Sequence, residues 1–237
     1  LITAEYVHGR TGLDGAELPD PVTAVAEGHA VDRIIELAME HDPGSITLCP
    51  LGPLTNVATA LVRAPEIAPR IGEIVLMGGG FFEGGNTTPA AEFNVFVDPK
   101  AADIVFRSGI PITVMPLDVT HRALILPRHL ARFTAMGTAV GTAVHGLLAF
   151  YERYDVEKYG MEGGPLHDPC VIAYLLQPDL FTGKQINVTV ETASELTMGM
   201  TVADWWGMSH RPKNARWIRT VDAQGFFDLL VERLARL

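Results

Sequence analysis

Cysteine is almost missing from this chain: only Cys49 and Cys170 occur in 237 residues. That is too few for a disulfide framework and suits a reducing compartment, so the cytoplasm is the expected location. Positive charge is short as well, with 18 Lys and Arg against 28 Asp and Glu and a formal net charge of -10. Such a balance repels a nucleic-acid backbone or an anionic membrane and leaves a neutral or cationic small molecule as the expected partner. The longest stretch without Asp, Glu, Lys or Arg, Phe133 to Tyr151, is interrupted by glycines, threonines and His145. That is poor material for lipid, and a buried helix is expected there. The chain opens LITAEYVHG, with no initiator Met, basic n-region or small-residue cleavage site, and reads as a fragment without a secretory signal. Also missing are G-x-S-x-G, H-E-x-x-H, the P-loop, paired C-x-x-C and G-x-G-x-x-G. With them go the commonest serine-hydrolase, zinc-protease, phosphate-loop, structural-zinc and dinucleotide readings.

What is present is apolar surface. Hydrophobic residues make up 48% of the chain and the mean hydropathy is +0.20, enough for one continuous core, so residues 1–237 are expected to form a single α/β domain. The spacing of Val22, Val25, Ala26, Ala30, Ile34, Leu37 and Ala38 predicts an amphipathic helix from Pro21 to His41. SITLCPLG then reads as a short strand, Leu54 to Arg63 as helix, Glu73 to Met77 as strand, Pro99 to Ser108 as helix and Ile112 to Met115 as strand. Short apolar strands alternating with helices imply a largely parallel sheet covered on both faces. Further helices are predicted at Pro127 to Met136, Thr138 to Tyr154, after His167-Asp168 through Leu176, and at Ala223 to Leu237. Beyond Pro178, runs at Ile186 to Thr192, Leu196 to Val202 and Trp217 to Val221 suggest a small antiparallel extension. Ligands of parallel sheets gather outside the carboxyl ends of the strands. The loops to inspect are therefore Leu51-Gly52-Pro53, Gly78 to Asn94, and Leu117-Asp118-Val119-Thr120.

Within the second loop, GGGFFEGGNTTPAAEFNVFVDP, the glycines mark a tight turn with close backbone approach. The loop then presents Asn86, Glu92 and Asn94, donors and acceptors of the kind that grip several hydroxyl groups of a sugar. A solvated surface turn is the bland alternative. In GGPLHDPC, His167 and Asp168 sit side by side at a helix start. Asp168 followed by Pro169 is also a good N-cap sequence, which leaves His167 unexplained. Among the other histidines only His8, inside VHGRTGLDG, lies in a glycine-bounded loop. A hard metal ion held by oxygens remains open, with Asp168 as one carboxylate and a strand-end carbonyl as another ligand.

The blocks VHGRTGLDG, CPLGPLTNVA, VLMGGGFFEGGNTTPAAEFNVFVDPKAA, PLDVTH and GGPLHDPC, in this order, resemble the inosine–uridine-preferring nucleoside hydrolases. The resemblance implies an open, mostly parallel Rossmann-like sheet flanked by helices. It also implies hydrolysis of the N-glycosidic bond of a ribonucleoside to ribose and free base, at a site built on Ca²⁺ that activates a water and holds the ribose 2′- and 3′-hydroxyls. By position it implies that Asp168 ligates Ca²⁺ and contacts ribose, and that His167 lies near the departing base as proton donor. Asn86 and Glu92 would hold the 5′-hydroxyl side and Asn94 the ring hydroxyls, with Met77 beneath the sugar and His8 as a further candidate. Leu51 stands where many relatives have Thr, but the family's metal contact there is a backbone carbonyl, which Leu51 also supplies.

The family's N-terminal D-x-D-x-x-x-D-D signature is absent, Asp14, Asp20 and Asp32 being isolated. In the family that motif supplies the end of the first strand, most of the metal's carboxylates and the general base. The chain is therefore expected to be an N-terminally truncated hydrolase, alone inactive or weakly active and a weak binder of Ca²⁺. The alternative is a non-catalytic ribose-binding or assembly module that has lost the metal site. GGPLHDPC together with VHGRTGLDG is most similar to the pyrimidine-preferring bacterial members, which implies uridine and cytidine ahead of inosine. A homotetramer or homodimer is implied for the full-length protein. Tyr154, Tyr159 and Trp205 or Trp206 are the aromatic candidates near the base.

Overall fold

A computed structural model describes residues 2–237, without the side chains of Tyr6, Tyr154, Asp155, Lys158 and Tyr159. The expected neighbours of the base at Tyr154 and Tyr159 thus lie outside the described residues. Two compact units are present.

The larger unit, Ala26–Val119 with His167–Thr220, holds the sheet. Its strands are β1 (Ile46–Leu48), β2 (Ile71–Met77), β3 (Ile112–Met115), β4 (Phe181–Ile186), β5 (Val188–Val190), β6 (Thr201–Ala203) and β7 (Ala215–Val221). The five-stranded sheet has the order β1-β2-β3-β7-β4. β1 runs parallel to β2, β2 to β3, and β3 to β7, with Leu76 opposite Val114 and Met77 opposite Met115. The unbroken apolar runs of β2 and β3 follow from burial on both faces, Ile74, Val75 and Val114 being wholly shielded from solvent. Helices Thr55–Arg63 and Pro99–Phe106 pack on each other, and Val57, Leu61, Val105 and Phe106 join Ile74, Leu76 and Trp217 in the core. Asp98 starts the second of these helices: its side chain accepts the Ala101 N–H (3.0 Å), and Pro99 supplies a preset first turn.

Two expectations are corrected here. The helix anticipated from Pro21 spans only Ala30–Glu40. Gly28 adopts φ 96, off the helical path, and His29 caps the true start by accepting the Val31 N–H at Nδ1 (3.1 Å). Val22 and Val25 match the helical spacing yet stand 100% and 96% exposed, so periodicity there had no core to answer to. The C-terminal strands do not form one peripheral antiparallel extension: β5 and β6 pair antiparallel as a separate two-stranded sheet. β7 enters the main sheet parallel to β3 with Trp217 and Ile218 buried, and β4, which strand pattern alone did not reveal, lies beside it.

The smaller unit, Leu1–Val25, Thr120–Leu166 and Val221–Leu237, is helical, with helices Glu5–His8, Pro127–Ala135, Ala139–Tyr159 and Ala223–Leu234. His129 stacks on Phe227 with ring centroids 3.7 Å apart, and Arg132 pairs with Asp228. The helix expected to be buried over 133–151 divides after Ala135, and its longer part is half-buried. No helix among the described residues is long and apolar enough to cross a membrane.

Candidate active site

Parallel strands put the ends of β1, β2 and β3 on one side of the sheet, and backbone hydrogen bonds tie the loops leaving them. Met77 N–H donates to the Pro50 carbonyl (3.1 Å), Gly78 N–H to Met115 (3.3 Å), and Leu117 N–H to Gly79 (2.8 Å). Leu51 follows Pro50 at this edge with a partly exposed side chain. Met77 itself is buried, and its carbonyl and sulfur both accept from Asn94 Nδ2 (3.1 and 3.4 Å). Asn94 is thereby locked to the end of β2, on the short helix Phe93–Val97.

Glu92 is the centre of this arrangement. It is 2% exposed, and its carboxylate accepts the N–H groups of Gly79 (2.9 Å), Asn94 (3.0 Å) and Val95 (3.3 Å). Gly79 can aim its amide inward because it takes φ 77, and a Cβ there would come within 2.9 Å of Thr201. Burial pushes the Glu92 carboxyl up to about 7, outweighing the three amide donors, and the charge of Asp168 pushes in the same direction. Asn86 closes the loop from the other side, its Oδ1 accepting the Phe93 N–H (2.9 Å).

Asp168 stands at the head of helix Pro169–Leu176, which packs on β2. The N-cap alternative fails for its side chain: with φ -62 and ψ -39 the residue is already helical and makes no side-chain cap bond. Its carbonyl, not its carboxylate, serves the helix by accepting the Val171 N–H (3.0 Å). Burial raises the Asp168 carboxyl to about 6. The structure thus brings Glu92 and Asp168 into electrostatic contact, two carboxylates held short of full ionisation near neutrality, a setting suited to hydroxyl donors or to developing positive charge. His167 immediately precedes, its carbonyl accepting the Cys170 N–H (3.1 Å).

His8 belongs to the helical unit, where its half-buried ring stacks on Tyr151 at 5.5 Å and burial lowers its pKa. Trp205 meets Phe82 edge-on at 5.7 Å, while Trp206 is 70% exposed.

Two roles were not read from the sequence: that of Asp118, named there only within a strand-end loop, and that of Thr201. Asp118, 1% exposed, accepts three successive backbone N–H groups, from Phe81, Phe82 and Glu83 (3.1, 2.8 and 3.0 Å), and the indole N–H of Trp217 (2.8 Å). The available signal was an acid just beyond a buried strand in a chain whose glycine-rich loop needs acceptors. Thr201 clasps Gly80, accepting its N–H (3.0 Å) and donating to its carbonyl (2.9 Å), a contact between residues far apart in the sequence.

The expected Ca²⁺ site is not completed by these residues. Among the described residues no group of three or more His, Cys, Asp or Glu side chains could hold a metal ion. The Asp168 carboxylate and the Leu51 carbonyl fall well short of the six to eight oxygens such an ion takes.

A family model described as inosine-uridine preferring nucleoside hydrolase matches residues 1–228. The chain belongs to this family. Among its relatives is the pyrimidine-specific ribonucleoside hydrolase RihA of Enterobacter sp. strain 638, 49% identical over 237 residues, covering 100% of this chain and 75% of the relative. An uncharacterised Schizosaccharomyces pombe protein is 51% identical over 236 residues, covering 100% of this chain and 76% of its own length. Solved nucleoside hydrolases share the fold. A purine-preferring ribonucleoside hydrolase from Gardnerella vaginalis superimposes with a TM-score of 0.89 at 33% identity, covering 98% of this chain and 73% of that one. A plant nucleoside hydrolase gives 0.90 at 31% identity over 100% of this chain and 76% of the other. The mostly parallel sheet flanked by helices is therefore a nucleoside hydrolase fold, and ribonucleoside hydrolysis is the activity of the family.

Proposed function

We propose that this nucleoside hydrolase prefers pyrimidine ribonucleosides, and that Asn86, Glu92, Asn94 and Asp168 hold the ribose over Met77 while His167 protonates the departing base. The observation that carries the reading is the coupling of Glu92, buried beside the end of β2, to the partly buried Asp168 at the head of a helix packed on β2. Glu92, about half protonated at neutral pH, can donate to or accept from a sugar hydroxyl. Asp168, the more acidic of the two, is the better placed to stabilise the positive charge that develops as the bond from C1′ to the base nitrogen breaks. Water adds its oxygen to C1′ as the bond to the base nitrogen breaks, the base leaves with a proton from His167, and the proton the water gives up returns to His167 through solvent. The similarity to RihA supports uridine and cytidine ahead of inosine. A cytoplasmic location and assembly as a homodimer or homotetramer belong to the same reading, the former supported by the two free cysteines.

Steady-state hydrolysis of uridine, cytidine and inosine by the full-length protein tests it, with His167→Ala alongside. Uridine and cytidine are expected to have the higher kcat/KM, and the substitution to lower kcat by about 100-fold or more. Preference for inosine would overturn the substrate assignment, and an unchanged rate in the variant would leave His167 a structural residue.

A further inference from the structure

The loop from Gly78 to Asn94 carries Asn86, Glu92 and Asn94 of the proposed ribose site, but glycines at 78, 79, 80, 84 and 85 give it little stiffness of its own. Something outside the loop has to hold it. Glu92 pins Gly79, Thr201 pins Gly80, and Asn86 reaches back to Phe93. The span between these points, Phe81 to Glu83, is held through its backbone by one carboxylate, that of Asp118.

Successive amides converging on an acid form an anion-binding concavity built within the chain itself. Asp118 Oδ1 takes all three amides, and Oδ2 takes Nε1 of Trp217, a side chain buried in β7. The carboxylate thus spans the end of β3, the adjacent strand β7 and the site loop. Above it the Phe82 ring is fixed between Arg219, whose Cζ lies 3.8 Å from the ring centre, and Trp205 at 5.7 Å. Only the three residues after Phe82 separate this anchor from Asn86.

We propose that Asp118 is a positioning residue for nucleoside hydrolysis: with Trp217 it sets the path of residues 81–86 and so the placement of Asn86 and Glu92 on the sugar. Asp118 does not touch the substrate in this role. The proposal rests on the ribose site described above, and its consequences follow from geometry. Asp118→Ala frees the three amides. Asp118→Asn can keep one acceptor oxygen for them, but its amide then meets the Trp217 N–H donor to donor. Trp217→Phe removes that conflict, so the double variant restores what the single one loses.

Hydrogen exchange of the Phe81, Phe82 and Glu83 amides, read by NMR beside uridine kinetics, tests this. Asp118→Ala is expected to lower protection at those amides at least tenfold while Leu76 and Val114 in the strands keep theirs. It should also lower kcat/KM for uridine on the order of 100-fold, the size a displaced binding group produces. Asp118→Asn should fall between, and Asp118→Asn with Trp217→Phe should regain most of its loss. Native exchange or native kinetics in Asp118→Ala would overturn the proposal. So would a loss that tracks thermal stability alone and is not rescued in the double variant. The kinetics are read on the full-length protein; should that parent neither bind nor hydrolyse uridine, the ribose reading fails, and exchange at residues 81–83 still decides whether Asp118 holds the loop. If Asp118→Ala does not fold, the two Asn variants carry the comparison.

Discussion

Glu92 is pulled in two directions. Three backbone N–H groups favour its ionised form, burial and the Asp168 charge oppose it, and the balance falls at about 7. Asp168 has no cap to serve, and burial alone takes it to about 6. Both values lie above those of an unfolded chain, so the native state holds protons that the unfolded state has released. The stability this provides is complete below about pH 4 and is lost as pH rises through 6 for Asp168 and through 7 for Glu92. Asp168→Asn removes one of the costly charges. Urea unfolding is expected to find the variant more stable than the parent at pH 8, by on the order of 1–3 kcal/mol, and matched at pH 4. Its ribonucleoside hydrolysis should be largely lost. Parallel pH curves for parent and variant would show that Asp168 carries no buried charge. A residue kept at a cost to stability is what a binding site requires and a helix cap does not.

At the scale of elements, the helices that flank the sheet are joined by a side-chain bridge that serves two purposes. Asp98 Oδ1 caps helix Pro99–Phe106 at the Ala101 N–H, and Oδ2 accepts the Thr55 hydroxyl (2.8 Å) at the start of helix Thr55–Arg63. Asp98→Ala should cost about 1–2 kcal/mol through the lost cap, with a smaller addition from the stranded hydroxyl. In a double-mutant cycle with Thr55→Ala, read by denaturant unfolding, a coupling of about 0.5–1.5 kcal/mol is expected. Additive losses would mean that the bridge does not join the helices. The helix from Pro99 was legible in the sequence, as were β1, β2 and β3, because a helix start at proline and a two-faced strand are local facts. The stretch before Ala30 was misread for the converse reason: Val22 and Val25 fit a helix, and nothing local records that they meet no partner. The place of β7 was likewise hidden, since a buried strand pattern is the same in a central parallel strand and in an outlying hairpin.

For the molecule as a whole, a net charge of -10 favours attraction of cations in general, yet a specific Ca²⁺ site depends on how many oxygens converge. Isothermal titration of Ca²⁺ into this chain is expected to show binding no tighter than about 1 mM. Tight, stoichiometric uptake would mean that oxygens beyond Asp168 and Leu51 gather around the ion. The sequence by itself determined the alternation of strands and helices, hence a parallel sheet with loops at its carboxyl edge. It also carried the polar residues Asn86, Glu92, Asn94, His167 and Asp168, because residue type and spacing are properties of the chain. Only the tertiary structure decided that the Asp168 side chain does not cap its helix, that burial, with the Asp168 charge adding to it, raises the pKa of Glu92, and that Asp118, Trp217 and Thr201 hold the glycine-rich loop. Those contacts join residues distant in sequence, and their strength comes from burial, which exists only once the chain has folded.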